Sequence, residues 1–398
     1  MSFDHHCEEP TAIRTDLGAI FVSMELSRST WLITSLSPGG GGKMSKRSIS
    51  AGDIPALLAR FADLEQKALA RTGKSFPIIV IQEAGLDGFW LHRKLEDEGI
   101  ESWVVDPASI AVPRRRRRAK TDKIDGEALL RALLAYKRGE PRVCAMVRAP
   151  APEDEDNRRL CRERGVLIAE RIEHINRIKG LLFSQGVSDY EPAHANRRQR
   201  LDALKTGDGR ALPPHLKTQI GRELDRLELL IKQIKAVEKE RDALLGLPTK
   251  GAAAPALGAL ANGAHGPAML AAFKGIGSEF TAVLWLEGLF RSFANRRQLG
   301  AYAGLAPTPW QSGSVALEQG VSKAGNRRLR TTMIELAWLW LRHQPDTALS
   351  RWFHERVQRN GGRQRKTTIV ALARKLLVAL WKYVTAGVVI EGAVMKHG

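Results

Sequence analysis

The order of apolar runs over residues 18–139 constrains the fold more than any other feature. "GAIFVSMEL" (18–26), "TWLITSLS" (30–37) and "KMSKRSIS" (43–50) read as three strands separated by turn residues, including "SPGGGG" at 37–42. "DIPALLARFADLEQKALAR" (53–71) then has helical spacing, with Asp53 placed to cap it. "FPIIVIQEA" (76–84) is a continuous apolar, β-branched run of strand length. A helix over "LDGFWLHRKLEDEG" (86–99), a strand at "ESWVVDP" (101–107) and a helix over "KTDKIDGEALLRALLAYKRG" (120–139) complete the series.

Three strands joined by short turns and followed by α-β-α-β-α is the order of an RNase H-like fold. The rest of the chain differs in kind. "RRLCRERGVLIAERIEHINRIKGLLFSQG" and "LKTQIGRELDRLELLIKQIKAVEKERDALLG" are long, charged and helical. In the second, Ile220, Leu224, Leu227, Ile231 and Ile234 form a heptad seam, which suits either an antiparallel helical hairpin or pairing between subunits. A Gly/Ala/Pro-rich linker occupies 251–267. Beyond it the chain reads as mainly helical, and "MLAAFKGIGSEFTAVLWLEGL" resembles a helix-hairpin-helix element. The amides around Gly275 and Gly277, with Lys274 beside them, are candidates to hold a phosphate. The apolar "LLVALWKYVTAGVVI" near the end is too short to span a bilayer and reads as a buried helix.

Charge points to the partner. Lys+Arg number 62 and Asp+Glu 43, a net charge of +19. Such an excess favours polyphosphate, whose neutralisation releases counterions. A membrane partner would call for a basic amphipathic helix or a lipidation signal, and neither is present. Cys7, Cys144 and Cys161 show no paired or zinc-type spacing and fit free thiols in a reducing cytosol. "HHC" at His5 to Cys7 reads as a polar tail rather than a metal tract.

Acids fall where this fold order can gather them. Glu25 lies in the first strand, Glu83 ends the fourth, and Asp122 and Asp125 are one turn apart on the last helix. Four convergent carboxylates repel one another without a cation, and hard oxygen ligands suit Mg²⁺ or Mn²⁺. Such ions activate a nucleophile and stabilise a leaving oxygen at phosphorus. Immediately before the helical pair stand Arg114, Arg115, Arg116, Arg117 and Arg118, with Lys120 following. They are placed to hold a nucleic-acid backbone beside the metal.

"IQEAGLDGFWLHRKLEDEGIESWVVDP" followed by "TDKIDGEAL" resembles the N-terminal RuvC-like domain of IS110/IS1111-family transposases. "GLAPTPWQSGS" and "GVSKAGNRRLR" resemble the family's C-terminal transposase domain. The resemblance implies a RuvC-like catalytic domain at 16–145, a helical, coiled-coil region at 150–250 and a transposase domain at 268–390. It implies an Asp-Glu-Asp-Asp tetrad falling on Glu25, Glu83, Asp122 and Asp125, with Glu25 departing from the usual Asp. It also implies a serine nucleophile, Ser312, and a covalent phosphoserine–DNA intermediate. Element-end and target DNA, a structured non-coding guide RNA, a dimer or tetramer, and a bacterial, nucleoid-associated cytoplasmic setting follow from the same resemblance. From the residues alone, Ser312–Gly313 reads first as a turn in a Pro-rich loop. Lys323, Asn326, Arg327, Arg328 and Arg330 are candidates to hold phosphates near it. Two rival readings remain open at this point: a RuvC-like, metal-dependent junction nuclease, and a nucleic-acid-binding protein with weakened acids.

Overall fold

The structure is a computed structural model that describes residues 18–85, 88–110, 122–141, 143–247, 266–312, 315–359 and 361–396. Two compact units divide the chain, 1–150 and 151–398.

The first unit is built on a five-stranded sheet. Its strands are β1 (Ile20–Leu26), β2 (Thr30–Leu36), β3 (Ser45–Ser50), β4 (Ile78–Glu83) and β5 (Glu101–Val105), in the order β3-β2-β1-β4-β5. β1, β2 and β3 pair antiparallel through a tight turn at 27–29 and a longer loop at 37–44. β4 and β5 join in parallel, each after a helical crossover. Those crossovers are α1 (Ile54–Thr72) and α2 (Trp90–Asp97). As the sequence suggests, Asp53 caps α1, accepting from the Ala56 amide at 2.9 Å. α2 begins four residues later than its apolar spacing predicts. Gly88 just before it has a φ of 71°, which a right-handed helix cannot pass through.

Strand alternation divides the sheet into two apolar faces. Ile20, Val22, Met24, Ile78 and Val80 pack under Leu57, Phe61 and Leu64 of α1 and Leu91 and Leu95 of α2. Phe21, Ile79, Ile81 and Val105 pack under α3 (Asp122–Lys137) through Leu129, Leu130, Leu133 and Leu134. This mixed sheet, covered on both faces, is compatible with the RNase H-like order read from the sequence.

The second unit opens with two long helices, α4 (Pro152–Phe183) and α6 (Pro214–Leu244), each about 45 Å long at 1.5 Å per residue. They pack antiparallel, with the short α5 (Arg197–Asp202) between them in sequence. The seam residues Ile220, Leu224 and Leu227 are buried against Ile178 and Leu182 of α4. The seam is thus filled from within the chain, so its heptad spacing describes a helical hairpin and the alternative of subunit pairing through it falls away. Glu223, nearly fully buried, fixes the register by a hydrogen bond with His174 at 2.6 Å and an ion pair to Arg177 at 3.3 Å, both on α4, and also pairs with Arg226 of its own helix at 2.6 Å.

Of the expected 251–267 linker, only Gly266 and Pro267 lie within the described residues, and both are buried at the start of α7 (Gly266–Ala271). α8 (Ser278–Leu284) runs into one π-helical turn, Trp285–Leu289, and α9 (Arg296–Tyr302) follows. A two-stranded ribbon then interrupts the helices: β6 (Pro307–Ser312) and β7 (Val315–Val321). α10 (Arg327–His343), α11 (Ala348–Arg359) and α12 (Arg365–Ala386) close the unit. Its core joins Phe273, Leu336 and Trp340 to Leu372, Leu376 and Leu380 of α12. The helical part of the late apolar run is therefore core, while Val388 and Val389 beyond α12 are exposed, and no helix among the described residues is long and apolar enough to cross a membrane.

Candidate active site

β1 and β4 pair in parallel from Ile20↔Ile78 to Met24↔Gln82. One step further along that register, Glu25 and Glu83 stand level on neighbouring strands. Alternation puts both on the face of Phe21, Ile79 and Ile81, the face that α3 covers. Ser23 Oγ, two residues before Glu25, donates to the Gly126 carbonyl of α3 at 2.7 Å. Lys46 Nζ pairs with Glu127 at 2.5 Å. A Cβ added at Gly126 would lie 3.3 Å from Glu25 Oε1 and 2.6 Å from Thr34 Oγ1. Gly126, near the start of α3, is therefore packed against Glu25.

Asp122 and Asp125 stand four and one residues before Gly126 in the same helix, and their side chains lie outside the described set. Glu25 is half-buried, and its Oε1 is out of reach of solvent. Glu83 is exposed. Beside them the fully buried Thr34 Oγ1 has no hydrogen-bond partner among the described residues. Among the described side chains, no three acids, histidines or cysteines gather at one point. The donor atoms at this corner are oxygens, which fits a hard divalent cation rather than a thiophilic one. Arg114 to Arg118 and Lys120 lie outside the described residues.

In the second unit, Ser312 ends β6 opposite Val315, the first residue of β7. The serine expected in a Pro-rich loop therefore stands at the tip of a β-ribbon. Its side chain lies outside the described set. β7 leads into Lys323, whose φ of 56° is unusual for a residue with a Cβ. The bend is held by Arg330 Nη1, which donates to the Lys323 carbonyl at 2.7 Å.

Asn326 then caps α10, accepting from the Leu329 amide at 3.0 Å and donating to Glu287 Oε2 at 2.9 Å. Arg328 reaches back to α4 and donates to the Cys161 carbonyl at 2.7 Å. Of the five polar residues expected at phosphates here, Asn326, Arg328 and Arg330 thus hold the bend, while Lys323 and Arg327 are exposed. At the α7–α8 turn, a Cβ on Gly275 would meet His343 Cβ at 2.8 Å, so the backbone is pressed against the end of α10 there. Gly277 caps α8 in an open position, Lys274 is exposed, and the first turn of α8 already carries Glu279. Glu279 pairs with Arg164 at 2.9 Å and with Arg241.

Sequence reasoning missed Glu287. Its carboxylate is 1% exposed and meets Arg162 at 3.2 Å and Asn326 at 2.9 Å. Its carbonyl accepts from Tyr302 Oη at 2.7 Å. Glu287 sits in the π-helical turn, a feature that often accompanies functional sites. One weak signal was available: a lone acid inside the apolar run "AVLWLEGL". Its partner Arg162 lies 125 residues away and gives none. Next to that arginine, burial pushes the Cys161 thiol up to about 12, so it stays protonated and unreactive.

A mixed sheet with paired acids at one corner, followed by a basic helical unit, is the build of an enzyme that handles polyanionic strands. Residues 268–353 match the family described as Transposase IS116/IS110/IS902. The chain is 72% identical over 397 residues to a Sinorhizobium fredii protein named as a transposase, y4rJ, with 98% of each chain covered. It is 25% identical over 318 residues to the transposase for insertion sequence element IS1111A of Coxiella burnetii, covering 77% of each. It is 24% identical over 318 residues to the transposase for IS1328 of Yersinia enterocolitica, covering 79% of this chain and 85% of the relative. The chain belongs to the IS110/IS1111 family of insertion-sequence transposases. Its partner is DNA.

Proposed function

We propose that this transposase exchanges DNA strands under the direction of a structured RNA, using an acidic metal site in the first unit and Ser312 in the second. The observation that carries the reading is the level placement of Glu25 and Glu83 on neighbouring strands, with Gly126 of α3 packed against Glu25 and Asp122 and Asp125 just before it in the same helix. Glu25, Glu83, Asp122 and Asp125 hold Mg²⁺ or Mn²⁺ there, which when bound supplies positive charge to the phosphate oxygens.

Ser312 Oγ attacks phosphorus. A Ser–O–P bond forms, one P–O bond of the strand breaks, and the serine proton ends on the departing hydroxyl. Attack by the hydroxyl of the incoming strand reverses the step, so one phosphodiester is remade for each one broken. Lys323 and Arg327, exposed where the ribbon meets α10, stabilise the charge that develops on the phosphate. Arg114 to Arg118 hold the backbone of the strand.

Two variants test the reading on a purified recombination substrate. Asp125→Asn or Glu83→Gln is expected to abolish strand cleavage while nucleic-acid binding persists. Ser312→Ala is expected to remove both strand exchange and any denaturant-resistant protein–DNA species. Cleavage that survives in Ser312→Ala without such a species would instead identify a metal-dependent nuclease. Normal exchange by that variant would overturn the role of Ser312.

A further inference from the structure

The corner between α11 and α12 carries an aromatic and basic surface that the strand-exchange chemistry does not use. Trp352, Arg356 and Arg359 follow one another at spacings of four and three, so they share a face of α11. With Glu355 and Gln364 they line an open cavity of about 360 Å³. That lies within the roughly 300–1,000 Å³ of clefts that take small molecules. Lys375 of α12 places its Nζ 4.7 Å from the centre of the Trp352 ring. A second pair repeats the arrangement: the Arg365 guanidinium stands 5.2 Å from the ring of Trp338, itself 37% exposed. Trp338 meets Phe353, the neighbour of Trp352, at 6.2 Å. Between residues 348 and 376 the single acid is Glu355, against eight arginines and lysines.

Trp352 packs partly against the core of the unit and also lines the cationic cavity, where a merely solvated charged face needs no tryptophan. A strand with unstacked bases matches both features, because its phosphates suit the arginines and its bases offer π-faces to the indoles. A duplex keeps its base faces covered. An anionic membrane would suit a convex surface, and Glu355 at the cavity would repel its headgroups. The same carboxylate can accept from the exocyclic amine of a base.

We propose that the Trp352 cavity seats an unpaired nucleobase of a single-stranded segment, with Glu355 favouring bases that carry an amino group. The proposal rests on nucleic acid being the partner of this transposase. It depends neither on a guide RNA nor on Ser312.

Fluorescence anisotropy on the full chain tests it, with labelled oligo(dC), oligo(rC), oligo(dT) and a duplex as probes. Losing one base–aromatic stack in Trp352→Leu should weaken single-strand binding roughly five- to a hundredfold and leave duplex binding unchanged. Trp352→Phe, which keeps a π-face and the packing, should retain most of the affinity. Glu355→Gln, on an exposed site, should erase a preference for oligo(dC) over oligo(dT) and keeps the test alive if Trp352→Leu fails to fold. A larger loss with oligo(dC) than with oligo(rC) marks a displaced DNA strand as the occupant, and the reverse marks RNA. Unchanged single-strand affinity in Trp352→Leu, a loss shared equally by the duplex, or binding to anionic vesicles with none to oligonucleotides would overturn the proposal. Because no strand cleavage is measured, failure of the Ser312 mechanism would leave these results standing.

Discussion

Gly126 shows how one missing Cβ shapes the acidic corner. In a helix interior, alanine is favoured over glycine by about 1 kcal/mol. Here the added carbon would sit 2.6 Å from Thr34 Oγ1, on a fully buried strand residue, and 3.3 Å from Glu25 Oε1. Overpacking of this kind costs about 1–3 kcal/mol, so the clash outweighs the helical gain. The longer side chain of Glu25 is thus seated against a residue that has none. Gly126→Ala is expected to lower thermal stability and to impair cleavage, because α3 must shift away from β1. Adding Thr34→Ala should recover much of the lost stability, and a double-mutant cycle would measure the coupling. Simple additivity of the two changes would show that the contact does not govern the position of α3.

The elements around Ser312 depend on a buried polar group that no local pattern reveals. Asn326 ends the approach to α10 by capping it, and Glu287 holds the Asn326 amide. Replacing a helix cap by alanine costs about 1 kcal/mol. Asn326→Ala also strips a donor from the nearly fully buried Glu287, which adds about 1–3 kcal/mol. Glu287→Leu should destabilise by about 1–3 kcal/mol, since Asn326 loses its acceptor, while Arg328 keeps its bond to the Cys161 carbonyl and the half-exposed Arg162 regains water. Urea denaturation of the variants checks these values. A change below about 0.5 kcal/mol, the level of an ordinary surface substitution, would show that the network is dispensable.

The ribbon was illegible for a related reason. "PTPWQS" carries two prolines, which argue against a central strand. A two-stranded ribbon has only edge strands, and a register shift between Pro307 and Pro309 accommodates them. The seam of α6 was legible as a stripe, but its spacing is the same whether a helix of the same chain or of another copy fills it.

For the whole molecule, the net charge of +19 makes DNA affinity a function of salt. Each phosphate neutralised on a duplex contributes about 0.9 to the slope of log affinity against log salt. Replacing Arg114 to Arg118 with glutamine should therefore flatten that slope measurably in an anisotropy titration. An unchanged slope would mean that the run does not touch the strand. The order of strands and helices in the first unit was readable because each element announces itself locally, through period, cap or turn residue. Asp53, the apolar run of β4 and the leucines of α3 each carried their own signal.

The sequence by itself determined the strand–helix order of the first unit, the charge that selects a polyanionic partner, and the motifs that resemble the transposase family. Those properties are local or additive, so they survive reading one residue after another. Only the tertiary structure decided that Glu25 and Glu83 stand level on the sheet face that α3 covers, that the heptad seam closes within one chain, and that Ser312 ends a ribbon. It alone joined Glu287 to Arg162 and Asn326. These depend on which distant segments meet. That choice is made by sheet register and by the burial of whole faces, terms that no short window of sequence contains.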